Sequence, residues 1–96
     1  MANPEEINET LQVYAISRGI SIDGTNALGF GQDGEVWRSS RKTAVKLLER
    51  ERTYLNERDA YLRLRDENVR YLGIFAVPSL VDYDDEHRIV EMAIVS

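Results

Sequence analysis

The sequence predicts an α+β domain: a twisted antiparallel sheet of about five strands, one helix packed against it, and an additional N-terminal helix. Apolar residues recur at helical spacing near the N-terminus and again from residue 51, whereas glycine-punctuated and alternating runs lie between and after them. The 96 residues are 43% apolar and 30% charged, which is typical of an ordinary globular chain. This length allows one small domain.

The first predicted element is a helical extension over residues 1–19. Asn3 is a suitable N-cap, and Pro4 suits the first helical position. Gly19 can end the helix in a left-handed conformation. The apolar side chains of this helix fall on one face: Ile7, Leu11, Tyr14 and Ala15. We therefore expect this face to dock on the rest of the domain.

Short strands joined by turns are predicted after the first helix. The first comprises Ile20 and Ile22 and ends at a turn signal, Asp23-Gly24. Further β-type runs are centred on Val36-Trp37 and on residues 43–48.

The second half of the chain predicts a helix followed by a hairpin. Helical spacing returns over about residues 51–65. Two apolar runs, about 78–83 and 88–95, flank the acidic turn at residues 84–87. Together with the preceding strands they predict one unit over residues 20–96.

Charge and composition exclude several classes of function. The net charge of −5 disfavours binding to nucleic acid or to an anionic membrane. The basic residues of segment 38–70 alternate with acids, as on a solvated helix. The chain has no cysteine, and its lone histidine, His87, has no second histidine to complete a metal site. We expect a cytoplasmic protein, because neither a secretion signal nor a membrane-spanning run is present.

A glycine motif follows the first predicted strand. Residues 29–36, Gly-Phe-Gly-Gln-Asp-Gly-Glu-Val, fit the pattern GxGxxGxV. A dinucleotide-binding loop would lead into a helix, but a β-type run follows here. The motif therefore predicts a hairpin whose tip can approach phosphates through bare backbone N–H groups.

The next strand carries a lysine beside a small residue. Side chains alternate along a strand, so Ala44 and Lys46 share one face. If Val36 on the preceding strand points the same way, Val36 and Ala44 form an apolar roof beside the ammonium group. The alternative is a surface lysine on an amphipathic strand.

A glutamate interrupts the apolar stripe of the second helix. Glu57 lies between Tyr54 and Tyr61 at helical spacing. A buried carboxylate needs a partner, and Lys46 on the neighbouring strand is a suitable cation. The alternative is that Glu57 reaches solvent or pairs with a nearby arginine.

In this order the motifs resemble the small lobe of the protein-kinase-like superfamily. Residues 28–36 look like its glycine-rich loop, Ala44-Val45-Lys46 like the end of its lysine strand, and Glu57 like the glutamate of its C helix. Residues 77–81 resemble its fourth strand, and residues 89–92 resemble its fifth strand running into the hinge.

The resemblance implies an ATP site. Lys46 would hold the α- and β-phosphates, and Glu57 would orient Lys46. The glycine loop would cover the phosphates, through these residues: Gly29, Phe30, Gly31 and Gly34.

The adenine would lie beneath an apolar roof of Val36 and Ala44. Val90 would occupy the gatekeeper position, and the adenine-contacting backbone groups would come from the following three residues, Glu91, Met92 and Ala93.

Three features depart from the family pattern. The spacing from Lys46 to Glu57 is short, and residues 66–76 resemble an insertion, so Glu67 is a rival for the helix glutamate. Asp33 at the loop tip would also place a negative charge near the phosphates.

The family's catalytic aspartate and magnesium ligands come from a large lobe beyond the hinge, whereas the sequence stops at Ser96. We therefore expect an ATP-binding small lobe of a kinase-like phosphotransferase, which needs a large lobe, in cis or supplied, for Mg²⁺ and catalysis. The alternative is a non-enzymatic module that offers the same surface to a protein partner or to its own copy.

Overall fold

A computed structural model describes residues 8–31, 34–73 and 75–94. Within them lie two helices, α1 (Glu9–Arg18) and α2 (Glu51–Asp66). The larger sheet has five antiparallel strands: β1 (Ile22–Gly31), β2 (Gly34–Ser39), β3 (Thr43–Leu48), β6 (Leu80–Asp84) and β7 (Ile89–Ala93). A small hairpin is formed by β4 (Tyr71–Leu72) and β5 (Phe75–Ala76). The predicted α+β class is confirmed.

The register of the larger sheet decides which side chains share a face. Its strand order is β1-β2-β3-β7-β6, so β7 lies between β3 and β6. Lys46 on β3 is paired with Val36 on β2 and with Val90 on β7. Directly paired residues of antiparallel strands point to the same side. These three residues therefore form one row across the face that carries Lys46.

Each face of the sheet is covered by one helix. On the α1 face, a buried cluster joins the helix to three strands: Leu11, Tyr14, Trp37, Val45, Leu47 and Ile89. On the α2 face, which carries Lys46, the buried cluster comprises Leu48, Tyr54, Leu80, Val90 and Met92. The N-terminal helix therefore supplies core to one face of the sheet. Leu11, Tyr14 and Ala15 of its predicted apolar stripe are buried, and Ile7 lies outside the described residues.

The start of α1 differs from the predicted one. Asn8, not Asn3, caps the helix: its side-chain oxygen accepts a hydrogen bond of 2.9 Å from the Thr10 amide. Both asparagines can cap a helix, and Asn8 directly precedes the first helical residue. Pro4 lies outside the described residues. The predicted end is confirmed, since Gly19 adopts a left-handed conformation with φ of 68°.

Of two predictions for irregular segments, one needs correction and the other, the insertion, stays a prediction. Asp23-Gly24, predicted as a turn, lies within β1, where the pairing with β2 shifts register between Ile22 and Ala27. Residues 66–76, interpreted as an insertion, contain the β4–β5 hairpin, which turns at Gly73 with φ of 65°.

Predicted and observed bounds agree closely elsewhere. β3 has the predicted range, and α2 extends one residue further than residues 51–65. The predicted strand 78–83 begins later, at Leu80, and the predicted strand 88–95 is observed as Ile89–Ala93. Val95 lies outside the described residues.

Candidate functional site

The glycine motif lies in the hairpin between β1 and β2. Gly29 is paired with Val36, Phe30 with Glu35, and Gly31 with Gly34. Gln32 and Asp33, the predicted loop tip, lie outside the described residues. The backbone of this hairpin therefore runs beside the row that contains Val36 and Lys46.

The glycines of this hairpin meet different surroundings. Gly34 has φ of 144°, and a Cβ added there would lie 1.8 Å from the carbonyl oxygen of Leu47. A Cβ added at Gly29 would meet no atom of the described residues within 4 Å. Gly34 is therefore required by the close approach of β3, whereas Gly29 faces open space from which a ligand can approach the backbone.

Lys46 and Glu57 form the ion pair predicted for them. The ammonium nitrogen of Lys46 lies 3.0 Å from one carboxylate oxygen of Glu57 and 3.1 Å from the other. The Lys46 side chain is 27% exposed and that of Glu57 is 18% exposed, so solvent reaches both. The rival, Glu67, is exposed at the C-cap of α2. The helix glutamate that meets the lysine is Glu57.

Tyr61 extends the apolar stripe one turn beyond Glu57. It packs against the buried cluster of the α2 face, as does Tyr83. Burial raises the pKa of Tyr61, the charge of Glu57 raises it further, and Lys46 acts in the opposite direction. The phenol is thus kept neutral beside the ion pair.

The apolar residues predicted to surround a nucleotide lie on the Lys46 face. Val36 and Ala44 are half-buried, and Ala44 is paired with Met92. Val90 and Met92 are buried beneath α2. The structure thus brings the predicted roof, the ion pair and the gatekeeper position to one side of the sheet.

The residues predicted to contact adenine through their backbone, Glu91, Met92 and Ala93, lie inside β7. The Ala93 amide donates a hydrogen bond of 2.9 Å to the Ser79 carbonyl. Ile94, which is 38% exposed, follows at the end of the strand. The adenine contacts stay a prediction, and this part of the strand is already engaged in the sheet.

The side chain of Glu91 belongs to a buried network that the sequence interpretation missed. It is fully buried on the α1 face, where it accepts a 2.7 Å hydrogen bond from the Tyr14 hydroxyl. Arg41 binds it through two nitrogens, one of them at 2.6 Å, and the Thr43 hydroxyl also donates to it. A glutamate flanked by apolar residues in a strand is the signal that could have revealed this network.

Burial of Glu91 favours the neutral form, but hydrogen bonds from Arg41, Thr43 and Tyr14 outweigh it and hold its pKa below the usual value. Burial and the adjacent carboxylate raise the pKa of Tyr14. The network is therefore a charged acceptor surrounded by donors, which fastens α1 and the β2–β3 turn to β7.

Acidification is expected to destabilise the fold through this network. A carboxylate whose pKa is lowered by folding adds stability above its unfolded value, near 4.5 for Glu91, and loses it as the pH falls from there towards the folded pKa. The pKa values of Asp84 and Asp85 are also lowered. Urea midpoints measured by fluorescence of the buried Trp37 should therefore stay level above about pH 5.5 and drop below about pH 4.5. A midpoint unchanged between pH 5 and pH 3 would contradict this.

Neither a membrane-spanning helix nor a candidate metal cluster lies in the described segments. No helix in them is long and apolar enough to cross a membrane. Across residues 8–31, 34–73 and 75–94, no group of three or more histidine and acidic side chains is placed to hold a metal ion.

The fold is similar to that of a solved kinase-like aminoglycoside phosphotransferase, the streptomycin-ATP-APH(2")-IIa ternary complex. The TM-score is 0.68 and the sequence identity is 18%. The match covers 100% of this chain and 31% of that chain. No protein-family profile and no curated protein matches the sequence. The resemblance to the N-terminal lobe of kinase-like phosphotransferases is thus confirmed at the level of the fold.

Proposed function

We propose that this chain is the ATP-binding small lobe of a kinase-like phosphotransferase. The observation that carries the proposal is the ion pair between Lys46 and Glu57, which lies on the sheet face next to the glycine hairpin. The solved complex with the same fold contains ATP, which supports a nucleotide as the ligand.

The hydrogen bonds of Lys46 leave room for a phosphate. An ammonium group has three donors, and the two oxygens of Glu57 occupy two of them. Among the described residues no other acceptor uses the third donor, which is therefore available for a phosphate oxygen, and the partial exposure of the pair gives a nucleotide access to it. Glu57 in this arrangement fixes the position of the cation, and the cation neutralises phosphate charge.

The rest of the proposed site lies on the same face of the sheet as Lys46. The backbone of Gly29 can approach the phosphates, while Val36 and Ala44 offer an apolar surface to the adenine. Mg²⁺ would be held by residues of a large lobe, in cis or supplied, and would neutralise the charge on the transferred phosphoryl group. Phosphoryl transfer requires that lobe, and the small lobe contributes binding and orientation.

Substituting the site lysine tests the proposal. Lys46→Met is expected to weaken binding of Mg-ATP by about tenfold, because it removes a charge-assisted contact to phosphate. Titration with a fluorescent ATP analogue would measure the affinity, with the chain alone and with a large lobe added. Lys42→Met is the matched control, since Lys42 is an exposed lysine in the β2–β3 turn. Equal affinities of the two variants would contradict the proposal.

The alternative, a non-enzymatic module, is favoured by apolar side chains that the sheet leaves exposed. Leu28 on β1 is 45% exposed, and Ile94 after β7 is 38% exposed. These side chains could meet a partner protein or a second copy. In that case Lys46→Met would be nearly silent, and sedimentation would show association that depends on concentration or on an added partner.

A further inference from the structure

We infer that Asp85, in the turn between β6 and β7, is a positioning residue for the candidate site: it holds α2 so that Glu57 meets Lys46. The inference rests on the proposed function for its effect on ATP. Its structural part, the placement of the helix, can be measured without a nucleotide.

The end caps of α2 do not fix its place on the sheet. Its N-cap, Arg50, makes no side-chain capping hydrogen bond within the described residues. Its C-terminus is capped by its own backbone, with Asn68 left-handed at φ of 57° and the Val69 amide donating a hydrogen bond of 2.8 Å to the Leu64 carbonyl. Tyr54 is the one fully buried side chain of this helix, which is described along its whole length. The position of α2 therefore depends on the contacts that its side chains make with the sheet, those of Tyr54 and of the partly buried Leu55, Tyr61 and Leu62.

Asp85 accepts two hydrogen bonds that join α2 to the β6–β7 turn. The Tyr54 hydroxyl donates to Oδ1 of Asp85 at 2.6 Å, and Nη1 of Arg58 donates to the same oxygen at 2.7 Å. Tyr54 lies three residues before Glu57, and Arg58 directly follows it. One donor residue on each side of Glu57 in the sequence thus binds the same oxygen of Asp85. These two hydrogen bonds fix the rotation of α2 and its depth on the sheet.

The protonation states of Asp85 and Tyr54 maintain these hydrogen bonds. Hydrogen bonds from Tyr54 and Arg58 lower the pKa of Asp85, which therefore stays ionised as an acceptor. Burial and the bond to Asp85 raise the pKa of Tyr54, so its hydroxyl keeps its proton as a donor. The Arg58 guanidinium also binds Asp59 and lies 5.9 Å from the centre of the Tyr83 ring, on the strand that leads into the turn.

The placement of α2 determines whether the ion pair can form. Both oxygens of Glu57 lie within 3.1 Å of the Lys46 nitrogen, and such contacts weaken steeply when the groups move apart. Asp85 is 59% exposed at its side chain, so truncating it removes an acceptor without opening a cavity in the core. We therefore expect any loss of ATP affinity in such a variant to result from a displacement of α2.

The test compares two neighbouring acids in the turn. Asp85→Ala is expected to lower the affinity for a fluorescent ATP analogue by about fivefold, because hydrogen bonds to a charged acceptor are lost. Glu86→Ala, which removes the same charge from an exposed residue one position later, should change it by less than about twofold. Equal affinities of Asp85→Ala and Glu86→Ala would overturn the inference.

A double variant tests whether Asp85 acts through the glutamate. In a Glu57→Gln background, Asp85→Ala should reduce the affinity little further, since the interaction that it positions is already lost. Full additivity of the two effects would overturn the inference. Tyr54→Phe should shift the affinity in the same direction as Asp85→Ala, and circular dichroism would confirm that each variant is folded.

A nucleotide-free measurement separates this inference from the proposed function. The ¹⁵N signal of the Lys46 ammonium group, protected from exchange by Glu57, should persist in wild type and Glu86→Ala but broaden in Asp85→Ala. An unchanged signal in Asp85→Ala would overturn the inference whatever the affinity for ATP. If the signal responds as expected but wild type binds no ATP even with a large lobe, the proposed function fails while the positioning role holds.

Discussion

Glu91→Ala is expected to lower the free energy of unfolding by about 4 kcal/mol. The carboxylate is fully buried and accepts hydrogen bonds from Tyr14, Arg41 and Thr43. Truncation leaves the buried Tyr14 hydroxyl without its acceptor and the guanidinium without its counter-charge, and it opens a cavity between α1 and the sheet. Urea unfolding followed by Trp37 fluorescence would measure the change.

Two variants serve as comparisons for Glu91→Ala. Glu91→Gln keeps an acceptor oxygen of nearly the same shape, so its loss should be about half as large. Glu86→Ala, in an exposed turn, should stay within about 0.5 kcal/mol of wild type. If Glu91→Ala unfolded at the same urea concentration as Glu86→Ala, the buried network would not contribute to stability.

Gly34→Ala is expected to cost about 3 kcal/mol of folding stability. The added Cβ would lie 1.8 Å from the carbonyl oxygen of Leu47, which is backbone and cannot turn aside. The positive φ of 144° adds strain for any residue with a Cβ. β2 and β3 would have to separate at their paired ends, where Gly34 lies opposite Leu48.

Gly29→Ala is the matched control, because its Cβ would meet no atom of the described part of the chain within 4 Å. It should change the stability by less than about 1 kcal/mol, so any effect on ATP binding would come from the approach of the ligand. Equal destabilisation by the two substitutions would show that the contact with β3 does not set the requirement at Gly34.

The sequence was most informative where a periodic pattern and a chemical requirement coincide. Alternation along residues 43–48 placed Ala44 and Lys46 on one face, and the need of a buried carboxylate for a cation paired Glu57 with Lys46. Both features are present in the structure. The fold class followed from the order of the elements, because few arrangements cover such a sheet.

The same reasoning did not extend to Glu91. Its apolar neighbours signal a buried strand, but its partners come from α1 and from the β2–β3 turn, and only the three-dimensional placement of α1 reveals them. Asp23-Gly24 was misassigned for a related reason: β1 continues through this dipeptide between the paired residues Ile22 and Ala27, although its local sequence favours a turn. A local turn preference does not predict the structure where long-range strand pairing on either side keeps the chain extended.

The position of β7 between β3 and β6 constrains the order in which the sheet can assemble. β1, β2 and β3 are consecutive hairpin partners, but the pairing of Leu47 with Ile89 closes a loop of about forty residues. Until that loop closes, the inner edge of β3 has unsatisfied backbone groups. On a ribosome, this edge is synthesised well before its partner strand, so we expect the inner edge of β3 to stay unpaired until β7 emerges.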